Sequence, residues 1–348
     1  MTTTTRIAVA GAGLIGKRHI DAILAVRAAE LACVIDPSDA GRIVAAQTGA
    51  PHFTDLESAL RRGGIDGVIL ATPNQRHAEG ALMCIDAGCP VLVEKPLASS
   101  IDDARAIVAA GEAAGVAVLV GHHRRHNPII AKARDLIAEG ALGRIVSVQA
   151  TTWFYKPEDY FETGWRRKAG AGPIFINLIH DIDLMQHFAG PATEVHAMQS
   201  SAVRGFEVED TAVIILRFGS GALGTMNLSD TVPAPWSWEL TAGENHAYPA
   251  TTETAYWIGG TKASLAVPNL ALWSHPDVQS WWSPITATNL PLETSDPLLR
   301  QIVHFCDVIR HGAAPVVSGR DGLAALAAIE AVKRSADTGT PVRLDAEL

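Results

Sequence analysis

Five short apolar runs alternate with helix-length amphipathic stretches through the first 120 residues, and nothing else in the chain constrains its fold so strongly. The runs are Ile7 to Ala10, Leu31 to Ile35, Gly67 to Ala71, Val91 to Val93 and Val116 to Val120. Between them lie Leu14 to Ala29, Asp39 to Gln47, Asp55 to Arg62, Gln75 to Ala87 and Ile101 to Ala114. A strand that is apolar along its whole length needs both faces covered, which is the condition of a parallel sheet with helices on either side. The pattern predicts an α/β domain with a doubly wound parallel sheet over residues 1–121.

The texture changes from about His122. Pro128 to Glu139 reads as a helix, Arg144 to Trp153 as a long strand and Ile174 to Phe188 as a second helix. Strand-like runs follow at Val195 to Val203, Thr211 to Phe218, Ala222 to Leu228 and Trp238 to Thr241. Pro268 to Pro297 carries no assignable pattern, and helices over Pro297 to Arg310 and Gly322 to Thr338 close the chain. Strands in series joined by short turns predict a mostly antiparallel open sheet, making 122–348 an α+β domain for substrate binding and oligomerisation.

Composition narrows the partners. With 48% hydrophobic and 19% charged residues the chain reads as globular, and its net charge of -9 argues against nucleic acid. No run of about 18 apolar residues suggests a membrane span. The start of the chain does not read as an export signal, and Cys33, Cys84, Cys89 and Cys306 fit buried, reduced thiols, so a cytoplasmic setting is expected.

Gly11-Ala12-Gly13-Leu14-Ile15-Gly16 follows the first strand and opens a helix. The first glycine permits the tight turn, the second lets backbone approach a pyrophosphate and the third allows close helix–strand packing. Uncapped N–H groups of Leu14, Ile15 and their neighbours then face the phosphates. Asp36 ends the second strand 20 residues after Gly16, where a carboxylate accepts ribose hydroxyls and repels a 2′-phosphate. These residues predict NAD as cofactor, with NADP left open by the nearby Arg42.

Thr72-Pro73-Asn74 follows the third of these runs, with His77 three residues on, and Glu94-Lys95-Pro96 follows the fourth. Carboxyl ends of parallel strands are where open α/β sheets bind ligands, so Thr72, Pro73, Asn74, His77, Glu94 and Lys95 join the cofactor-site candidates. Lys95 stands out, because oxidising an alcohol needs a group that takes the hydroxyl proton, and its positive charge would stabilise the developing alkoxide.

In order, the glycine turn, Thr-Pro-Asn-Gln-Arg-His, Glu-Lys-Pro, Trp165-Arg166, Ile179-His180-Asp181-Ile182-Asp183 and the closing Ser335-Ala336-Asp337-Thr338-Gly339 resemble the Gfo/Idh/MocA oxidoreductases over essentially the whole chain. The resemblance implies an N-terminal Rossmann domain and a C-terminal α+β domain. It implies an enzyme, an NAD(P)-dependent dehydrogenase acting on a CH–OH group, in which Lys95 and His180 are catalytic and Pro96 follows a cis bond. Many relatives carry an Asp four residues before this histidine. Here Ile176 stands there and Asn177 follows, so Asn177 becomes a neutral hydrogen-bonding candidate. Asp183 is a candidate to orient the His180 imidazole. Substrate-binding candidates are Lys95, His122, Arg124, Trp165, Arg166, Asn177 and His180, and no residue spacing suggests a metal.

The expected substrate is a small molecule, a secondary alcohol of a sugar, polyol or related cyclic hydroxy compound. Arg124, Arg125, Arg166 and Lys168 keep open an anionic substrate such as a dihydrodiol carboxylate or a sugar acid. An NAD-dependent glycosidase and a non-enzymatic cofactor-binding sensor also stay open. A homodimer or homotetramer is expected, because a sheet covered on one face leaves an apolar face for a second copy.

Overall fold

The computed structural model describes residues 4–168 and 170–344. Residues 1–3, which include two of the four threonines at the start, lie outside this description. By contacts the chain falls into two units, 1–126 with 295–326, and 127–294 with 327–348.

The first unit follows the alternation of the sequence. In chain order it runs β1 Thr5–Ala10, α1 Leu14–Ala25, β2 Ala29–Ile35, α2 Asp39–Thr48, β3 His52–Phe53, α3 Leu56–Arg62, β4 Gly67–Leu70, α4 His77–Asp86, β5 Val91–Val93, α5 Ile101–Ala114 and β6 Val118–Val120. The strands form one parallel sheet in the order β3-β2-β1-β4-β5-β6. Side chains cap the helices where the sequence offers them, Ser38 before α2, Asp55 before α3 and Ser100 before α5. Two expectations shift: α1 ends at Ala25 because β2 already begins at Ala29, and the stretch expected as a helix from Gln75 opens with a 3₁₀ turn over Asn74–Arg76.

The helix Pro297–His311 also belongs to this unit, so the contact units do not follow a single cut at 121/122. Leu298, Ile302, Phe305 and Val308 recur at helical spacing and share a core with Ile7, Val9, Ile23 and Leu31. Gly67 permits the fit, since a Cβ there would come within 2.9 Å of the Phe305 ring.

The second unit starts with α6 Pro128–Ala138, β7 Ile145–Trp153, α7 Ile179–Ala189, β8 Ala192–Ser200, β9 Thr211–Phe218 and β10 Leu223–Ser229. It continues with β11 Tyr256–Gly260, β12 Ala263–Val267, β13 Ala271–Ser274, β14 Thr286–Asn289 and β15 Val342–Arg343. All nine strands form one sheet, β14-β13-β12-β11-β7-β10-β9-β8-β15, antiparallel except for the β7–β10 pair. One face packs into a core through Ile214, Leu216, Met226 and Ile258, while the other exposes Met198, Val213, Ile215, Leu223, Trp257 and Trp273.

Three sequence readings change here. Trp238–Thr241 is a single helical turn, not a strand: Trp238 and Thr241, three apart, are the buried residues, and the Trp238 ring stacks on Tyr256. The unassigned stretch after Pro268 contains β13 and β14. The helix read from Ile174 begins with a π turn, Ile174–Leu178, before α7. All four cysteines are free and buried. No helix among the described residues is long and apolar enough to cross a membrane.

Candidate functional site

The turn after β1 is built for a close approach from outside. Gly11 sits at φ +93, and a Cβ on it would lie 2.4 Å from the Ala71 carbonyl oxygen. On Gly16 a Cβ would lie 1.9 Å from Gly11 O, so α1 can pack against the turn only with glycine there. A Cβ on Gly13 would meet nothing within 4 Å, and Leu14 is 87% exposed. No side chain caps α1. The result is an open helix start with unclaimed N–H groups at Leu14 and Ile15, the geometry that takes a pyrophosphate.

Asp36 closes one side of this turn. Its carboxylate accepts the Ala12 N–H at 2.7 Å and the Ser38 N–H and hydroxyl at 2.8 and 2.5 Å. Burial works against the charged form, but the Ser38 and Ala12 hydrogen bonds prevail and hold the carboxyl below its ordinary range. Arg42 turns away to Asp39, at 3.0 Å. Thr72 presents a buried hydroxyl oxygen with no hydrogen-bond partner, at the edge where Pro73 and Asn74 are exposed. An open glycine edge, an uncapped helix start, an anionic Asp36 and an unsatisfied Thr72 hydroxyl together fit a dinucleotide.

Lys95 leaves the end of β5 through a cis bond to Pro96 and is anchored from below. Its N–H donates to Glu94 Oε2 at 3.1 Å, and Glu94 Oε1 lies 2.6 Å from Nε2 of the fully buried His19. Burial pushes the Glu94 carboxyl up, yet the His19 hydrogen bond, with charge from His19, His123 and Lys95, holds it at about 2. His77 is buried and bridges the two loops, with Nδ1 2.8 Å from Pro96 O and Nε2 2.9 Å from Thr72 O. Glu94 and His77 thus face inward and hold backbone. His122 and Arg124 are buried in the turn after β6, and Arg125 is committed to Asp321 at 3.0 Å.

In the second unit, His180 and Asp183 are buried on α7. Between them Asp181, also buried, receives the Thr152 hydroxyl at 3.0 Å and the Tyr256 hydroxyl, which ties α7 to β7 and β11 and sets the rotation of the helix. The preceding π turn brings Ile176 and Asn177 to the wall of a cavity of ≈ 860 Å³. Such turns insert a residue into helical register and recur at functional sites. Arg166 lies on the same wall, its Nη1 on Tyr160 O at 2.8 Å and its guanidinium 4.1 Å from the Tyr160 ring centre. Trp165 is 58% exposed, and Lys168 pairs at the surface with Glu207. Lys95 belongs to the first unit, and Arg166, Asn177 and His180 to the second.

Sequence reading missed Lys156, which lines the cavity just beyond the end of β7. Its Nζ is 3.8 Å from Asp230, which accepts Arg204 Nε at 2.9 Å. Burial pushes the Lys156 ammonium down to about 8 against the pull of Asp230 and Glu239, and burial also raises the Asp230 carboxyl. Only its position after a strand, in Phe154-Tyr155-Lys156-Pro157, hinted at it. Among the described residues no group of three or more His, Cys, Asp or Glu is placed to hold a metal ion.

The fold and the glycine turn define a nucleotide-binding oxidoreductase with a second α+β domain. Residues 5–122 match the model of the oxidoreductase family with an NAD-binding Rossmann fold, and 130–266 match the Gfo/Idh/MocA C-terminal domain. The chain belongs to the Gfo/Idh/MocA oxidoreductase family and is an NAD(P)-dependent oxidoreductase. It is 34% identical over 226 residues to the 4-carboxy-2-hydroxymuconate-6-semialdehyde dehydrogenase of a Sphingobium species, covering 64% of this chain and 71% of that protein. To the scyllo-inositol 2-dehydrogenase (NAD(+)) of Bacillus subtilis it is 28% identical, covering 99% and 98%. The WlbA dehydrogenase of Bordetella pertussis, solved with NADH and UDP-GlcNAcA, superposes with a TM-score of 0.76 at 28% identity, covering 99% of both chains.

Proposed function

We propose that the chain oxidises a secondary alcohol of a cyclic hydroxy compound of the sugar or polyol type, with NAD as acceptor, and that Lys95 is the proton-transfer group. The observation that carries this reading is the anchoring of Lys95 at the carboxyl end of β5 by the buried Glu94–His19 pair. The inositol dehydrogenase relative, similar over nearly its whole length, supports a polyol-type substrate.

Gly11, Gly13 and Gly16 with the first turn of α1 would hold the pyrophosphate, Asp36 the adenosine ribose, and Thr72, Pro73 and Asn74 the edge beside β4. When bound, the nicotinamide ring supplies the hydride acceptor. Lys95 takes the hydroxyl proton, and its cationic form stabilises the oxygen as negative charge builds. Glu94 and His77 keep the Lys95 backbone in place. His180 orients the substrate, with Asp183 steadying its imidazole, and Asn177 offers a neutral hydrogen bond where relatives carry a carboxylate. Preference for NAD over NADP is supported by the charged Asp36 and by Arg42 being engaged with Asp39.

Reduced-cofactor absorbance, read across inositols, aldoses, sugar acids and cyclic dihydrodiols, tests the reading. Stoichiometric NADH formation with one class is expected, and a cofactor-binding chain that turns over none of them would overturn it.

A further inference from the structure

The cavity of the second unit is walled mainly by apolar and ring side chains, including Phe154, Tyr160, Ile176, Leu240 and Tyr248. Such walls suit the faces of a compact ring better than a fully hydroxylated chain. Lys156, Arg166, Asn177 and Asp159 supply its charged and amide groups, and the first three have hydrogen-bonding capacity that the protein does not meet.

The Lys156 side chain is 7% exposed, and Asp230 at 3.8 Å lies beyond hydrogen-bonding distance, so that ion pair leaves the ammonium N–H groups without a close acceptor. Asp230 itself is already engaged by Arg204 through Nε at 2.9 Å. Arg166 holds a buried Nε with no hydrogen-bond partner, and Asn177 a buried Oδ1 in the same state. Nature rarely leaves buried donors on cations unsatisfied, because the lost hydration is then not replaced. Both cations line the cavity beside the Tyr160 ring, with Lys156 Nζ 5.1 Å and Arg166 Cζ 4.1 Å from its centre, and such a pair suits an anion. Asp159 lines the same cavity and Glu239 contacts Asn177, so a doubly charged phosphate would meet more repulsion there than a singly charged carboxylate.

We propose that Lys156 and Arg166 bind a carboxylate group of the substrate in this cavity, so that the chain acts on a cyclic hydroxy acid rather than on a neutral sugar. The substrate role rests on the oxidoreductase reading above, whereas the anion site does not. Lys156 and Arg166 are specificity-determining residues in this proposal.

Calorimetric titration of the full chain with NADH bound separates the two claims. Paired probes would be D-galacturonate against D-galactose, D-glucuronate against D-glucose, and the cis-dihydrodiol of benzoate against that of benzene. At least one acid is expected to bind about tenfold or more tightly than its neutral partner. Lys156→Met and Arg166→Gln should each lower that preference by about tenfold, the low end of the range for a lost hydrogen bond to a charged group. Lys156→Arg should restore part of it, and Lys262→Met, at an exposed lysine, should leave it unchanged. The two variants lie on different segments, so Arg166→Gln carries the test if Lys156→Met does not fold. Acids that bind no better than their neutral partners, or a preference that survives both variants, would overturn the proposal. An acid that binds with this pattern but never reduces NAD+ would keep the site and sink the dehydrogenase reading instead.

Discussion

His19 Nε2 and Glu94 Oε1 lie 2.6 Å apart in the interior of the first unit, and the second Glu94 oxygen receives the N–H of Lys95. A carboxylate with no room to move therefore fixes the backbone of the proposed proton-transfer residue. The space is closed by Gly121, where a Cβ would come within 2.8 Å of the Glu94 carboxyl. Glu94→Ala leaves His19 without its partner and should destabilise the chain by about 3 to 5 kcal/mol while slowing turnover. Glu94→Gln, which can still accept the Lys95 N–H, should recover part of both losses. Urea unfolding and steady-state rates check this, and a Glu94→Ala chain as stable as the parent would refute the anchoring role.

Lys95→Ala removes the proton acceptor and its charge but leaves the glycine turn and Asp36 intact. Turnover should fall by about 10²- to 10⁴-fold, with affinity for the cofactor little changed. His180→Ala should cost less, since His180 orients substrate in this reading and no carboxylate stands at Ile176 to work with it. Near-normal turnover in Lys95→Ala would place the base elsewhere.

Asp36→Ala should narrow the preference for NAD over NADP, mainly through the Michaelis constant of the cofactor. The lost carboxylate also frees the Ala12 and Ser38 N–H groups, which a 2′-phosphate can then use. The ratio of kcat/KM for the two cofactors measures it, and an unchanged ratio would remove Asp36 from the ribose site.

His123 and His126 are each held at about 3, by burial first and then by cationic neighbours, chiefly Arg124 for His123 and His304 for His126. In the unfolded chain they would titrate near 6.5, so between these values the unfolded state binds protons that the folded state refuses. Stability should be fully retained above about pH 6.5 and fall as pH drops toward 3, each histidine adding up to ~1.4 kcal/mol per pH unit. His126→Gln should remove roughly half of that steepening. Melting temperatures across this range decide it, and a flat profile from pH 6.5 to 4 would contradict it.

The exposed apolar side chains of the large sheet, Met198, Val213, Ile215, Leu223, Trp257 and Trp273, come from five strands and alternate with buried residues along β9. Surfaces of this kind mark association, so a dimer or tetramer built on that face is expected. Ile215→Arg should lower the mass seen by light scattering toward the monomer. A parent chain that is already monomeric at micromolar concentration would end this proposal.

Local pattern decided much of the fold. Val91–Val93, Ile101–Ala114 and Thr211–Phe218 appear in the structure with the limits their periodicity predicts, because a strand's alternation and a helix's cap are properties of neighbouring residues. The glycine turn and Asp36 were legible for the same reason: fixed spacing on one βα unit dictates their geometry. Tertiary structure alone decided what depends on distant partners. Tyr256–Gly260 and Ala263–Val267 become strands through pairing with β7 and with each other, and Trp238–Thr241 becomes a helical turn because Trp238 stacks on Tyr256. Pro297–His311 joins a core assembled from residues near the start of the chain. His19 meets Glu94 across 75 residues, and Lys156, Arg204 and Asp230 converge from three separate segments. A buried charge must find its partner wherever the fold brings one, and one-dimensional spacing carries no record of that meeting.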